Sequence, residues 1–423
     1  GFYLPFKQDY TVEGFSATLY KGTGATRYVG GVGFQPDLVI MKGRSGATAH
    51  FTFDSIRGAT KNLRTESTAA ETDAVTSLTA FTPDGFTLGS SGDSNHVSHT
   101  YVAWCWDMGG SNATNETGDI TSTVRANPTY GQSIVSYSGN GTAGQTVGHG
   151  LSGVPEMIIV KAVNYADSWG VYHANNTAAP ETDRLHLSGD GATYDDVTMW
   201  NDTLPTSSVF TIGDNYQVNK ASTNYIAWCF DSVAGYSKFG GYTGDGGSSN
   251  VITTGFKPAF VMIKSTGTGS RPWIMFDTVR SGGLVWNDYL LASGSGAEVV
   301  DHANKKITVS DTGFTLGIDA WVNENLSPFV YMAFADKREY AYWLDQSGNN
   351  NDWTSNKLTE SDISVDSPTN NFATLNPIMG STDTHAVTYS EGNLKAFSSG
   401  WNGAFATIPI TSGKWYFEVI GDG

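Results

Sequence analysis

The hydrophobic residues of this chain fall into short continuous runs rather than into helical periods. Leu38 to Met41 are four apolar residues in succession, and Tyr101 to Trp106 form a second such run. A strand exposed on one face alternates apolar and polar residues, whereas a continuous run predicts burial on both faces. We find no window of ten or more residues with a convincing 3.6-residue apolar period, so we expect few helices.

The two runs belong to a pattern that occurs three times along the chain. Each copy opens with Tyr-x-Gly-x-Gly, continues through a proline and an apolar strand that ends in lysine, and closes with an aromatic-rich strand. The openings begin at Tyr20, Tyr137 and Tyr242; the prolines are Pro36, Pro155 and Pro258; the lysines are Lys42, Lys161 and Lys264; the closing strands begin at Tyr101, Tyr225 and, in altered form, Tyr331. A period of about 105 to 120 residues is the size of a complete domain with its own core, and it exceeds the period of solenoid and propeller repeats.

The sequence therefore predicts an all-β protein of three tandem homologous β-sandwich domains, followed by the beginning of a further β-sandwich module. The predicted boundaries are an extended N-terminal segment at 1–14, repeats at 15–110, 130–236 and 237–340, a linker at 111–129, and a joining segment with the start of the last module at 341–423. The linker is predicted from its Asn, Thr and Ser content. One large barrel made of three lobes is the alternative. Because the final strand pattern stops abruptly, we interpret the chain as a piece of a longer polypeptide.

Each copy also has a middle strand that ends in an acid or a histidine, namely Asp54, His173 and Asp277. We expect capping or turn residues in this shared position rather than catalytic acids. The segments that follow differ most between the copies. They are residues 55–79, 174–202 and 278–306. Segments that differ between copies of one fold are normally surface loops that carry specificity.

The net charge of −17 makes nucleic acid a poor partner, because an acidic surface repels phosphate groups. No apolar run approaches the roughly 18 residues of a membrane span. The two cysteines, Cys105 and Cys229, occupy the same position in the first two copies. Equivalent positions in different domains lie far apart, so we expect two buried free thiols.

Signals of catalysis or metal binding are weak. The sequence has no Gly-x-Ser-x-Gly or His-Glu-x-x-His motif, and His96 and His99 lack a third ligand at suitable spacing, so we expect no enzyme and interpret both as solvated loop histidines. No cofactor is expected. Acids in Gly244–Gly246 and Asp345–Asp352 could hold Ca²⁺ through carboxylate and backbone oxygens. Neither segment matches the calcium-loop pattern, so we favour turns.

Three tryptophans in the divergent parts of the copies are the candidate binding residues. Trp200, Trp286 and Trp321 lie outside the repeated strands, where an exposed indole ring stacks well on a sugar ring. Packing into the core is the favoured alternative for any single one of them.

Several segments resemble known protein families. Gly413–Val419 resembles the opening of a SPRY domain, a concanavalin-like β-sandwich used for protein binding. Asp345–Trp353 and Asp366–Pro377 resemble joining segments of large modular tail-fibre proteins of marine bacteriophages, in which a segment like Phe2–Phe6 commonly precedes them. The repeated strands are similar to an uncharacterised repeat of phage fibre and structural proteins.

This resemblance implies a virion structural protein, in a tail fibre or similar appendage, that acts in host-cell attachment. The implied partners are a glycan or protein receptor on the host surface and other virion proteins, with a homo-oligomer expected and a trimer favoured. It supplies no catalytic or binding residue. The alternatives are a non-adhesive spacer or head-surface fibre and a polysaccharide depolymerase, which usually needs paired carboxylates in a cleft.

Overall fold

The computed structural model describes residues 14–335, Leu375, 387–390 and 395–398. Residues 11–337 form one compact unit, and residues 1–10 with 338–423 form another. In the second unit, Val387–Ser390 and Lys395–Ser398 pair as antiparallel strands. The segments that carry the family resemblance at the two ends of the chain lie outside the described residues.

The first repeat consists of two antiparallel sheets and a short hairpin. Its inner sheet has the order β1-β9-β3-β4, its outer sheet has the order β2-β8-β7, and β5 pairs with β6. The strands are β1 (Phe15–Lys21), β2 (Arg27–Val29), β3 (Leu38–Gly43), β4 (Phe51–Asp54), β5 (Lys61–Asn62), β6 (Thr72–Asp73), β7 (Leu78–Thr82), β8 (Gly85–Leu88) and β9 (Thr100–Trp106).

The second repeat keeps this plan and extends the inner sheet at both edges. Its inner sheet has the order β10-β11-β12-β19-β14-β15-β16-β17, and its outer sheet is the pair β13-β18. The elements are β10 (Ala113–Asn115), β11 (Ser122–Asn127), β12 (Gln132–Ser138), β13 (Gln145–Gly148), β14 (Met157–Ala162), β15 (Gly170–His173), a 3₁₀ turn (Pro180–Thr182), β16 (Asp183–His186), β17 (Tyr194–Asp195), α1 (Val197–Trp200), β18 (Val209–Ile212), α2 (Tyr216–Asn219) and β19 (Asn224–Phe230).

The third repeat has the inner sheet β20-β28-β22-β23-β25 and the outer sheet β21-β27-β26-β24. The elements are β20 (Ser237–Thr243), β21 (Val251–Thr253), β22 (Phe260–Ser265), β23 (Ile274–Asp277), α3 (Thr278–Ser281), β24 (Val285–Trp286), β25 (Leu290–Leu291), β26 (Ile307–Ser310), β27 (Gly313–Leu316), α4 (Ala320–Asn323) and β28 (Pro328–Phe334). The predicted all-β class and the scarcity of helix are confirmed, since the helices in the described part of the chain are single turns.

The central strands of each inner sheet are buried on both faces, as their continuous apolar runs predict. In β3, Val39 and Met41 pack inside the first sandwich, whereas Leu38 and Ile40 face a different cluster. That second cluster, which we call the shared core, contains inner-sheet residues of all three repeats. Among them are Trp104, Ile159, Trp228, Met262 and Phe334. The three inner sheets therefore cover one another, and the three sandwiches enclose one common apolar centre.

The segment predicted as a linker, residues 111–129, instead contains β10 and β11. Residues Thr123–Asn127 of β11 pair with β12, so the segment extends the inner sheet of the second repeat. Its Asn, Thr and Ser content resembles a loop, but Ser122 and Val124 alternate as buried positions with a partly exposed residue between them. This alternation has the period of a strand whose polar face is partly solvated.

The closing strand of the third repeat is offset by two residues from the position predicted by its tyrosine. Tyr20 lies opposite Tyr101, and in the third repeat Tyr242 lies opposite Phe329. Phe329 rather than Tyr331 is therefore the equivalent of Tyr101. Side chains alternate with a period of two along a strand, so a two-residue shift leaves every apolar residue on the same face. The hydrophobic pattern cannot detect such a shift.

Each Tyr-x-Gly-x-Gly opening is a loop held by a buried asparagine. In the second repeat, the side-chain oxygen of Asn219 accepts hydrogen bonds from the backbone N–H groups of Asn140 and Gly141, at 2.8 and 3.2 Å. Its amide donates to two backbone carbonyl oxygens. Asn95 and Asn323 hold the other two loops through the same kind of bonds. The loop must lie close to this asparagine, which restricts the residues it can contain.

Replacing the first glycine of such a loop should destabilise the fold. A Cβ atom on Gly139 would lie 2.5 Å from the carbonyl oxygen of Lys220, which is backbone and cannot rotate away. We expect Gly139→Ala to lower the free energy of unfolding by about 1–3 kcal/mol, measured by thermal and urea denaturation. Gly191→Ala is the matched control, because a Cβ there meets no atom within 4 Å. Equal stability of the two variants would contradict this steric account.

Candidate functional site

Two of the three predicted binding tryptophans are buried. Trp200 is 2% exposed, and its indole N–H donates to the carbonyl oxygen of Asp183 at 3.0 Å. Trp286 is 1% exposed and donates to the carbonyl oxygen of Gly283. The expectation that these two side chains are exposed is therefore wrong, because they complete the cores of the second and third sandwiches. Neither presents a free ring face for stacking on a sugar.

The third tryptophan is partly buried at the edge of the third sandwich. The ammonium nitrogen of Lys305 lies 3.4 Å from the centroid of the Trp321 ring, and Tyr289 meets the same ring edge-on at 6.5 Å. One face of Trp321 is thus already occupied by a cation–π contact within the protein. A role for this residue in binding stays a prediction.

The densest set of repeated polar contacts lies at the junctions between the repeats. The lysines that end the three Pro-to-Lys strands are almost completely buried, and each ammonium group donates to backbone oxygens of its own repeat and of a neighbouring one. The contacts between repeats join Lys42 to Ser295 and Gly296 at 3.1 and 2.7 Å, Lys161 to Thr68 at 3.4 Å, and Lys264 to Asp190 at 3.1 Å. The first repeat thus contacts the third, the second contacts the first, and the third contacts the second, so the contacts form a closed cycle.

Backbone hydrogen bonds repeat the same cycle. The carbonyl oxygen two residues after each lysine accepts an N–H from the neighbouring repeat. The pairs are Glu298 to Arg44 at 2.9 Å, Glu71 to Val163 at 2.8 Å, and Thr193 to Thr266 at 3.1 Å. The three donors all lie in the divergent segments 55–79, 174–202 and 278–306. These segments were predicted to be surface loops, but parts of them form the junctions between repeats.

Burial lowers the pKa of each junction lysine to about 8, because an ammonium ion loses hydration when it leaves water. The backbone oxygens around each nitrogen replace part of that hydration. A buried donor with several acceptors is costly to remove, since the acceptors are then left unsatisfied. Each lysine therefore joins two repeats, through a buried bond within its own repeat and a partly buried bond to the neighbouring one.

Two of the three residues at the ends of the middle strands, Asp277 and His173, also contact a neighbouring repeat. Asp277 caps α3 by accepting the backbone N–H of Arg280, and its other oxygen accepts the indole N–H of Trp104 from the first repeat at 2.9 Å. Asp54 accepts the backbone N–H of Arg57 in the same way. His173 contacts the carbonyl oxygen of Tyr331 in the third repeat at 3.1 Å. The expectation of capping or turn residues is confirmed for the two aspartates.

The remaining candidate residues have structural surroundings. Cys105 and Cys229 form no disulfide bond, and their predicted burial is confirmed. The rings of His96 and His99 lie 4.6 Å apart. Within the described ranges, no group of three or more His, Cys, Asp or Glu side chains is arranged to hold a metal ion. Asp245 accepts the backbone N–H of Gly247, which is the predicted turn, and the segment Asp345–Asp352 lies outside the described residues.

Two clefts lie where the Pro-to-Lys strands begin, and neither is predicted from the sequence. The first-repeat cleft has a volume of about 520 Å³ and contains Asp37, Asp107 and Arg125. The second-repeat cleft has a volume of about 550 Å³ and is lined by Glu156, Tyr172, Glu181 and Asp231 together with apolar residues. The sequence feature that could have indicated these clefts is the acid directly after the proline that precedes the Pro-to-Lys strand in copies one and two. The third copy has Ala259 at this position.

The fold and its junctions define an all-β protein in which three repeats close around one core. Residues 11–338 match the family described as "Domain of unknown function (DUF7483)", which covers most of the chain, so the chain belongs to that family. No curated protein matches. Among solved structures, "Crystal Structure of the STIV MCP" aligns with 10% identity and a TM-score of 0.16, covering 54% of this chain and 92% of that chain. This TM-score is too low to carry an argument. No helix among the described residues is long and apolar enough to span a membrane.

Removing a junction lysine should destabilise the whole unit. We expect Lys161→Met to lower the free energy of unfolding by roughly 1–3 kcal/mol, because it leaves the buried carbonyl oxygen of Ala162 without this donor and removes the partly buried bond to Thr68 of the first repeat. Denaturation monitored by tryptophan fluorescence measures the effect. Lys21→Met is the control, because it replaces an exposed lysine with methionine. Its free energy of unfolding should stay within about 0.5 kcal/mol of the wild-type value. A Lys161→Met protein as stable as the control would show that the ammonium bonds do not hold the junction.

His173 should make the protein sensitive to acid. Burial lowers the pKa of His173 to about 4 from its usual 6.5. Between these values the unfolded chain binds more protons than the folded one, so stability falls as the pH decreases. From about pH 7 to about pH 5 this residue alone should remove roughly 2 kcal/mol from the free energy of unfolding. His173→Gln keeps a donor for Tyr331 and cannot titrate, so its melting temperature should fall less over this range. If the melting temperatures of the wild type and of His173→Gln fell equally with pH, His173 would not be the cause of the acid sensitivity.

Proposed function

We propose that this chain is a structural component of a virion, in a phage tail fibre or similar appendage, and that it acts in attachment to the host cell. The resemblance of its end segments to SPRY and tail-fibre joining segments supports this class. The three-repeat unit supplies a compact body on which outer loops are displayed. Its proposed location is the virion, and its proposed partners are other virion proteins and a host-surface receptor.

The observation that carries the proposal is the closed cycle of contacts between the repeats. The polar residues that recur in the repeats bind backbone groups of neighbouring repeats, as Lys161 and Lys264 do, or cap local turns, as Asp54 does. Residues used in this way hold a shape and are not presented to a substrate. A non-enzymatic role in a particle fits this use of polar groups better than catalysis does.

Attachment would depend on exposed side chains that take no part in the hydrogen bonds of the junctions. Tyr194 and Tyr216 are 60% and 58% exposed, and Leu326 is 80% exposed, so the outer surface carries accessible apolar side chains. The burial of Trp200 and Trp286, however, favours a non-adhesive spacer as the second candidate. The two candidates share the structural role and differ only in whether this unit contacts the cell.

The expected result is that antibodies against the purified chain label particles of the virus that encodes it, at a tail or surface appendage. The purified chain should also reduce adsorption of those particles to host cells in a dose-dependent manner. Immunogold electron microscopy and an adsorption assay measure these two outcomes, with heat-denatured chain as the control.

Labelling without competition would support the spacer. Absence of label on intact and on disrupted particles would overturn the virion assignment. Release of reducing ends from host polysaccharide by the purified chain would overturn the non-enzymatic assignment, and the decisive variants would then be those that remove carboxylates of the second-repeat cleft.

A further inference from the structure

The two acidic clefts occupy equivalent positions in the first and second repeats. The backbone N–H of Asp37 donates to the carbonyl oxygen of Trp106, and the N–H of Glu156 donates to that of Phe230, both at 2.8 Å. Asp37 and Glu156 therefore hold the same place at the start of a central strand. The clefts therefore differ in the side chains that line them and not in their place in the fold.

The first-repeat cleft contains a guanidinium group supplied by the chain itself. Arg125 reaches back from β11 of the second repeat and places its Nε atom 2.7 Å from Asp37 Oδ1. The same side chain also donates to the backbone oxygens of Gly109 and Gly110. Asp37 is thus paired with an arginine from a different element, which partly offsets the burial that raises the pKa of this carboxyl group to about 7. In the third repeat, Ala259 occupies the position of Asp37 and Glu156, so there is no carboxylate at this position to be paired.

The second-repeat cleft has more acid and no such arginine. Glu156, Glu181 and Asp231 line it, and none of the three forms an ion pair with an arginine of residues 14–335. Glu156 Oε2 accepts hydrogen bonds from the backbone N–H and the hydroxyl group of Ser232, which carry no charge. Burial and the nearby charge of Glu156 raise the pKa of Asp231, and the Ser232 backbone N–H and the charge of Lys238 offset this only in part. Neighbouring carboxylates whose charges are not balanced by an ion pair repel each other, so this cleft favours a positively charged ligand.

The walls of the cleft suit a long side chain with a charged end. Tyr172 is 2% exposed; its ring packs against Trp200, and no residue in the described part of the chain forms a hydrogen bond with its hydroxyl group at the cleft. Pro155, Pro180 and Pro205 supply apolar surface beside it. An aliphatic stem packs on such surface while the charged group reaches the carboxylates. A guanidinium group has several donors in a plane and matches two carboxylates and a hydroxyl better than an ammonium group does.

We propose that the second-repeat cleft binds an arginine side chain of a partner polypeptide, as the first-repeat cleft binds Arg125. The guanidinium group would lie between Glu156 and Asp231, with the Tyr172 hydroxyl as a further acceptor. This site is independent of the proposed role in the virion, since any arginine-bearing partner would satisfy it.

A short peptide tests the proposal directly. The probe is the acetylated and amidated peptide with the sequence of residues 123–127, which carries the arginine of the first-repeat cleft, titrated into the full chain at low ionic strength. We expect saturable binding by calorimetry, and binding about tenfold weaker or absent when citrulline replaces arginine, because citrulline keeps the shape and loses the charge.

Three variants locate the bound peptide. Glu156→Gln and Asp231→Asn should each weaken binding about tenfold, and Tyr172→Phe should weaken it by a smaller factor. Asp195→Asn removes the same charge from an exposed position in the same repeat and should bind like the wild type. Melting temperatures show whether each variant is folded, and the Asp231 and Tyr172 variants decide the matter if Glu156→Gln does not fold. No saturable binding to the wild type, or wild-type affinity in the folded cleft variants, would overturn the proposal.

Discussion

A single sandwich can cover only one face of its inner sheet, and the inner sheets of this protein are apolar on both. The outer sheet covers residues such as Val39, while Leu38 and Trp104 need cover from elsewhere. Apolar surface left in water costs about 25 cal/mol per Å², so three uncovered inner faces would outweigh the marginal stability of a domain. Mutual burial of the three faces satisfies all of them at once. The closed arrangement of the three repeats follows from this requirement.

Closing the three faces around one core also buries backbone groups at the edges of the sheets, and these need hydrogen-bond partners. The protein uses one solution three times. A lysine such as Lys161 donates to carbonyl oxygens of two repeats, and a neighbouring backbone N–H adds a second bond. The divergent segments supply those partners, which explains why they differ in sequence yet pack at equivalent places. Backbone acceptors and donors are present whatever the side chain, so sequence divergence does not disturb the contact.

The repeats are alike in architecture and unlike in the charges they carry. At one position after the anchor proline the chain has Asp37 with a guanidinium partner, Glu156 without one, and Ala259. At the end of the middle strand it has Asp54 and Asp277, each with an arginine three residues later, and His173. These substitutions leave the strands unchanged. The fold does not require these charge differences, so these are the positions at which the individual repeats can acquire separate roles.

The sequence by itself determined the all-β class, the central strands such as Leu38–Gly43 and the burial of Cys105, because these depend on apolar runs and turn residues that are local in the chain. The tertiary structure decided what covers the second face of each inner sheet, and it buried Trp200 and Trp286 although they lie outside the repeated strands. It also placed Phe329 opposite Tyr242. This is a two-residue shift, which an alternating pattern of period two cannot reveal. The local hydrophobic pattern is compatible with several strand registers and several ways of covering the sheets, because each of them buries the same apolar residues. Packing between residues far apart in the chain determines which of these arrangements forms.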